Sequence, residues 1–187
     1  NGSCTTNCLA PVAMVLDKAI GIESGFMTTI HSFTGDQRTV DQSHSDLRRA
    51  RTASTSMIPT STGAAKALSL VLPQLKGKLD GTAIRIPTQN VSLIDLTFVS
   101  KKLTSADTIN KVMIAASKTK NLKGILTVNN LPLVSVDFNH NSSSSIFDLT
   151  QTQVIKGKFC RVLSWYDNEW GFSNRMIETM LDLKKFI

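Results

Sequence analysis

Apolar and polar positions alternate along this chain in patterns that predict a succession of helices and strands. Residues 5–20, TTNCLAPVAMVLDKAI, place Cys8, Leu9, Val12, Val15, Leu16 and Ala19 at helical spacing, with Gly21 and Gly25 punctuating the end. Pro11 suits a first turn, so the regular helix is expected from about Cys8 onward. Phe26–Phe33, FMTTIHSF, is β-branched and apolar and reads as a buried strand. Residues 35–60 carry few large apolar side chains and predict a long ordered loop, a feature usually tied to function. Ser61-Thr62-Gly63 opens a helix that runs through Leu72. Strands are expected at 82–87 and 91–101, followed by an amphipathic helix over 104–118 with Thr104 as its N-cap and Asp107 in its first turn. Further strands are expected near 133–138, 145–149, 151–155 and 159–166. A closing helix from about Gly171 should bury Phe172, Met176, Met180 and Leu181 or Leu183.

Strands gathered in runs, with few helices between them, predict an α+β fold: a mixed, largely antiparallel sheet packed by helices. No G-x-G-x-x-G turn occurs, so the chain shows no dinucleotide-binding fingerprint of its own. Its 187 residues suit one domain with a real core. The start, Asn1-Gly2-Ser3-Cys4, is no signal peptide, and it reads as a cut through a longer polypeptide. No apolar run approaches the ~18 residues of a membrane span.

Charge and cysteines narrow the chemistry. The formal +7 comes with no long Lys/Arg run and no basic patch interleaved with aromatics, so no specific nucleic-acid site is expected. Arg48-Arg49-Ala50-Arg51 suits bidentate pairing with phosphate or carboxylate, and equally a solvated loop. Cys4, Cys8 and Cys160 form no C-x-x-C pair and cannot build a disulfide framework. Cys4 stands where a helix begins, and free N–H groups there favour a thiolate. Both readings of Cys4, nucleophile and small buried thiol, remain open on placement alone. Cys8, one turn on, reads as a core thiol. His31 sits at a strand end, either as a base for a thiol or as a structural histidine. His44 and His140 read as solvent-facing. A metal site on Cys4, Cys8 and His31 lacks a paired spacing and a fourth ligand. Arg85 lies in the buried-looking strand AIRIPT and needs an anion, either Asp95 on a neighbouring strand or a ligand phosphate.

SCTTNCLAP, TTIHS, DLRRAR, IPTSTGAAKA, RIPT and SWYDNEWGFSNR together resemble the catalytic domain of the phosphorylating glyceraldehyde-3-phosphate dehydrogenase family, in its bacterial form. The likeness runs from Asn1 to at least Met180. It implies that residues 1–187 are the C-terminal catalytic domain, and that the N-terminal NAD-binding Rossmann domain lies outside this chain. It implies Cys4 as nucleophile toward glyceraldehyde 3-phosphate, His31 as base, NAD as hydride acceptor, and inorganic phosphate cleaving a thioacyl intermediate to 1,3-bisphosphoglycerate.

By the same resemblance, Thr34, Asp36 and Arg85 take the substrate phosphate, with Asp36 orienting an arginine rather than touching the anion. Ser3, Thr5, Arg49, Thr62 and Gly63 take the attacking phosphate, with Arg85 near both. Part of the +7 would then answer two phosphates through Arg49 and Arg85. Asn168 would bind the nicotinamide carboxamide, with Tyr166 and Phe172 nearby. The family implies a cytoplasmic homotetramer, with the loop over 35–60 reaching toward a neighbour, and a chain that is redox-inactive alone. The sister erythrose-4-phosphate dehydrogenase, which LPLVSVDFNH and LTQTQV resemble, is the nearest alternative, and STGAAKA argues against it. A fragment acting only as a binding module is the other.

Overall fold

In the computed structural model, which describes residues 1–186, helix α1 spans Cys4–Ile20. It starts earlier than Pro11 suggested. Ser3 is extended, and its Oγ accepts from Thr6 N at 3.1 Å, so a side-chain cap sets the start at Cys4. Pro11 lies inside the helix and costs it one N–H donor, but the ring is buried. Gly21 ends α1 with φ +71°, whereas Gly25 lies inside the next strand, where a Cβ would stand 2.7 Å from Phe98 Cβ.

Strand β1 (Ile22–Ser32) leads into the polar loop, and β2 (Ile58–Ser61) follows. Helix α2 (Ala64–Val71) takes Gly63 as its N-cap, so Ser61 belongs to a strand rather than to the helix start. Strands β3 (Leu79–Ile86) and β4 (Ser92–Ser100) precede α3 (Ala106–Ser117). The cap of α3 is Ser105, which accepts from Thr108 N, and not Thr104. Then come β5 (Leu126–Asn129), β6 (Ser145–Asp148), β7 (Gln153–Ile155), β8 (Phe159–Tyr166) and α4 (Trp170–Leu183). The expected strand near 133–138 is instead a single 3-10 turn over Ser135–Phe138, held by Asp137 accepting from Val134 N. The short strands β2 and β5 were not foreseen.

The eight strands form one sheet in the order β2-β3-β1-β4-β8-β6-β5, with β7 paired to β8. The pairs β1–β4, β2–β3, β4–β8, β6–β8 and β7–β8 are antiparallel, while β1–β3 and β5–β6 are parallel. The mixed, largely antiparallel α+β fold is therefore as expected. Residues of β4 alternate strictly between buried and half-buried, so helices cover one face of the sheet. Cys8, Leu9, Val12 and Leu16 of α1 pack there against Met27, Ile94, Leu96, Phe147 and Tyr166. Each such side chain contributes about 1.5–3 kcal/mol on burial.

The closing helix departs from expectation. Met176, Met180, Leu181 and Leu183 are all exposed, because no other element of the described chain lies over that face of α4. Among the described residues, no helix is long and apolar enough to cross a membrane.

Candidate active site

Three elements bring the chemistry together. The Ser3 cap puts Cys4 in the first turn of α1. The two-residue period of β1 sends Met27, Thr29 and His31 to its buried side. Parallel pairing of β1 with β3 sets Arg85 directly beside His31. The result is Cys4 Sγ at 3.5 Å from His31 Nε2, and Arg85 Nη1 at 2.6 Å from His31 Nδ1. Cys8, one turn along, is fully buried against Ser145 Oγ and the carbonyl of Ser164, a core thiol whose burial pushes its ionisation up to about 12.

Tyr166 of β8 locks this crossing. Its hydroxyl lies 2.9 Å from Thr5 Oγ1 and 2.8 Å from Thr29 Oγ1. Thr29 donates its own proton to Leu93 O at 3.0 Å, so Tyr166 donates to Thr29 and accepts from Thr5. One buried hydroxyl chain thus ties α1, β1, β4 and β8 behind the Cys4–His31 pair. The Tyr166 ring meets the His31 ring edge-on at 5.8 Å.

Electrostatics differ from the simple helix-terminus expectation. Burial pushes the Cys4 thiol up, and the opposing pull of the Thr5 N–H and the Arg85 charge does not offset it. Burial, helped by Arg85, pushes His31 down to about 4. Thiol and imidazole are therefore both uncharged near neutral pH, and the proton has to move when a substrate arrives.

Arg85 is half-buried, and burial lowers its affinity for its proton. Asp95 is not its partner: Asp95 takes Arg161 bidentately, at 3.0 Å to Nε and 2.7 Å to Nη2. Arg85 Nη1 donates to Ser32 O at 3.0 Å, and its buried Nε has no partner. Among the described residues no carboxylate pairs with it. A half-buried cation in that state suits an incoming anion.

The other site residues fall into groups. Thr34 N and Oγ1 are engaged by Gln37 Oε1 at 3.1 and 3.4 Å. Asp36 binds Arg49 and Gln37, and Arg49 also reaches Asp46 Oδ2 at 3.2 Å and Ser61 Oγ at 3.4 Å. Arg49 is thus already paired with two carboxylates, while the charges of Asp36 and Arg49 still act on Arg85. Thr62 Oγ1 accepts from Ala64 N at 3.2 Å, and Gly63 is exposed with open space around it. Ser3 and Thr5 spend their hydroxyls on the α1 cap and on Tyr166. Arg51 pairs with Asp41. His44 is half-buried within the loop and accepts from Asp46 N, so it is not simply solvent-facing.

Asn168 is 6% exposed, and its Oδ1 accepts from the Ser32 and Ser92 hydroxyls at 2.8 Å each. That fixes the amide plane and leaves Nδ2, bonded only to Glu169 at 3.3 Å, as its outward donor. This arrangement fits a group that presents a carbonyl. Tyr166, at 1% exposure, is sealed behind the site, whereas Phe172 is half-buried. A cavity of about 590 Å³ opens beside the start of α1, lined by Gly2, Thr6, Asn7, Arg175 and Asp182, and neither Cys4 nor His31 lines it. The supporting roles of Tyr166, Thr29, Ser32 and Ser92 were missed. Strand parity alone would have paired Thr29 with His31, while the two serines left no signal.

Comparison with known proteins identifies the family. The family model described as the glyceraldehyde 3-phosphate dehydrogenase C-terminal domain matches residues 3–168. The glyceraldehyde-3-phosphate dehydrogenase of Xanthobacter flavus is 65% identical over 185 residues, 99% of this chain and 55% of that protein. Those of Zymomonas mobilis and Cereibacter sphaeroides are 60% and 58% identical over 185 and 187 residues, 99% and 100% of this chain and 55% and 56% of theirs. The chain thus spans about half the length of the curated relatives it matches. With the family model matching residues 3–168 and relatives up to 65% identical over nearly the whole chain, the chain belongs to the glyceraldehyde 3-phosphate dehydrogenase C-terminal domain family.

Proposed function

We propose that this chain is the catalytic part of an NAD-dependent, phosphorylating glyceraldehyde-3-phosphate dehydrogenase, converting glyceraldehyde 3-phosphate and inorganic phosphate to 1,3-bisphosphoglycerate. The observation that carries the reading is Cys4 Sγ at 3.5 Å from His31 Nε2, beside an arginine that among the described residues has no carboxylate partner.

Cys4 adds to the aldehyde carbon while its proton passes to His31, giving a thiohemiacetal. His31 then holds that proton near the new alkoxide. The chemistry that NAD supplies when bound is a hydride acceptor. Asn168 would orient the nicotinamide carboxamide through Nδ2. Cys4 is left as a thioester, whose acyl carbon stays electrophilic until phosphate arrives. Phosphate attacks that carbon, the C–S bond breaks, and Cys4 recovers a proton from His31. A thiolate suits both halves, as nucleophile and as leaving group.

Two phosphates per turnover require two anion seats. Arg85 with Thr34 supports one, with Asp36 holding Arg49 in place. Thr62, Gly63 and Arg49 at the entry to α2, together with Ser3 and Thr5 at the start of α1, are the residues we assign to the other. We further propose that a Rossmann domain outside residues 1–187 carries most of the NAD site, so that the chain alone is redox-inactive. The uncovered sheet face, with Phe26 and Phe159 about half exposed, supports assembly into a homotetramer.

The test is NADH formation by the complete gene product given glyceraldehyde 3-phosphate and NAD. It should require inorganic phosphate. Formation at the same rate without phosphate would contradict the reading and point to hydrolysis of the thioester.

A further inference from the structure

His31 Nδ1 is claimed twice. It lies 2.7 Å from Ser32 O and 2.6 Å from Arg85 Nη1. A carbonyl oxygen only accepts, and a guanidinium only donates. The Ser32 contact is therefore a hydrogen bond only when Nδ1 carries a proton, and the Arg85 contact only when Nδ1 is bare. In a neutral ring each choice dictates the other nitrogen. With Nδ1 protonated, Nε2 presents a lone pair to Cys4 and can take its proton. With Nδ1 bare, Nε2 already carries hydrogen and can take none.

We propose that Arg85 is a positioning residue that selects the tautomer of His31, and that a phosphate group captured by Arg85 draws Nη1 off Nδ1, returns that nitrogen to Ser32 O, and arms Nε2 as the base for Cys4. This rests on the reading of Arg85 as a phosphate ligand.

Several observations converge on it. Among the described residues Arg85 Nε is buried without a partner, so the guanidinium is only partly satisfied where it stands, Nη1 donating to Ser32 O at 3.0 Å. The parallel register holds the His31 and Arg85 backbones side by side, so only a side chain has to move. The groups facing the ring are Cys4 from α1, Arg85 from β3 and the neutral Tyr166 from β8. Asp36 and Arg49 act on Arg85. A phosphate on Arg85 also offsets its positive charge, which opposes charging of His31 when the thiol proton arrives. Proton balance is simple: the Cys4 proton moves to Nε2, and Nδ1–H stays on Ser32 O. Phosphate-bearing aldehydes thus arm the base themselves, and aldehydes without a phosphate meet an Nε2 that is already protonated.

The tautomer can be read directly. The chain, labelled with ¹⁵N-histidine and held near neutral pH, is titrated with inorganic phosphate. Binding is followed by ³¹P resonance, and His31→Gln identifies the His31 signals. The expected result is an Nε2–H ring without phosphate and interchange of the two nitrogen shifts at saturation. Arg85→Gln should show Nδ1–H throughout. An Nδ1–H ring in the phosphate-free chain overturns the proposal. So does phosphate that binds through Arg85 and leaves the tautomer unchanged, a result that spares the phosphate-ligand reading. Phosphate that fails to bind overturns both. If Arg85→Gln does not fold, the titration of the unaltered chain decides alone.

Discussion

Two helices of this chain carry apolar stripes of similar spacing and meet opposite fates. In α1, Leu16 is 1% exposed and its neighbours on that face lie against the sheet. In α4, Met180 is 63% exposed, and Met176, Ile177 and Leu181 are also uncovered. The pattern that marks an amphipathic face is the same in both, but among the described residues only the stripe of α1 is covered. Periodicity reports which side of a helix is apolar, and the rest of the fold decides what covers it. The chemistry sits at the buried helix: Cys4 opens α1, and the residues behind it are held by hydrogen bonds on every side.

Substitutions that disturb the buried end should cost far more than those on the open stripe. Cys4→Ser should reduce acyl transfer by at least on the order of 10⁴-fold, read in single-turnover assays, with little change in the melting curve. Leu16→Ala should cost about 2–5 kcal/mol in urea unfolding, whereas Met180→Ser should stay within about 0.5 kcal/mol. Comparable losses from both would mean that α4 is covered in solution.

Acid should act through the same buried end. The folded protein holds His31 down to about 4, while an unfolded histidine titrates near 6.5. The unfolded state therefore binds the proton first, and the His31 contribution, complete above the unfolded value, is lost as pH falls from about 6.5 through about 4. That contribution is roughly 3 kcal/mol. Urea midpoints of the chain should fall across this window, and those of His31→Gln should fall less. Tyr166→Phe leaves the Thr5 hydroxyl without its acceptor, while Thr29 keeps its bond to Leu93 O, and should cost about 1–3 kcal/mol, read as a lower melting temperature.

Much of the site was legible because it is local or periodic. Ser3-Cys4 announced a helix start, and TTIHS put His31 near the end of a strand. The exact start of α1 was hidden because Pro11 argued for a later one, and the Ser3 cap overrode it. Partners across the fold were not legible. Asp95 looked like a mate for Arg85, but β4 lies antiparallel to β8, where Asp95 pairs in register with Leu163, and Arg161 two residues along takes its carboxylate. Tyr166 looked like a cofactor neighbour because the motif around it carries the resemblance, while its place on β8 turns it inward. Pairing register and strand order, which no local pattern records, decided both. The turn over Ser135–Phe138 was missed because LPLVSVDF alternates like a strand, and Asp137 closes it into a turn.

The central claim, that Cys4 is the nucleophile and His31 its base, can be tested without a redox partner by reversing the phosphate half of the reaction. An acyl phosphate such as 1,3-bisphosphoglycerate should transfer its acyl group to Cys4 Sγ, releasing inorganic phosphate as the thiol proton passes to His31. Mass spectrometry of the treated chain should find one acyl group, on the peptide that begins the chain, lost in Cys4→Ser and formed about 10²–10⁴-fold more slowly in His31→Gln. Acylation that persists in Cys4→Ser, or a rate indifferent to His31, would contradict the account.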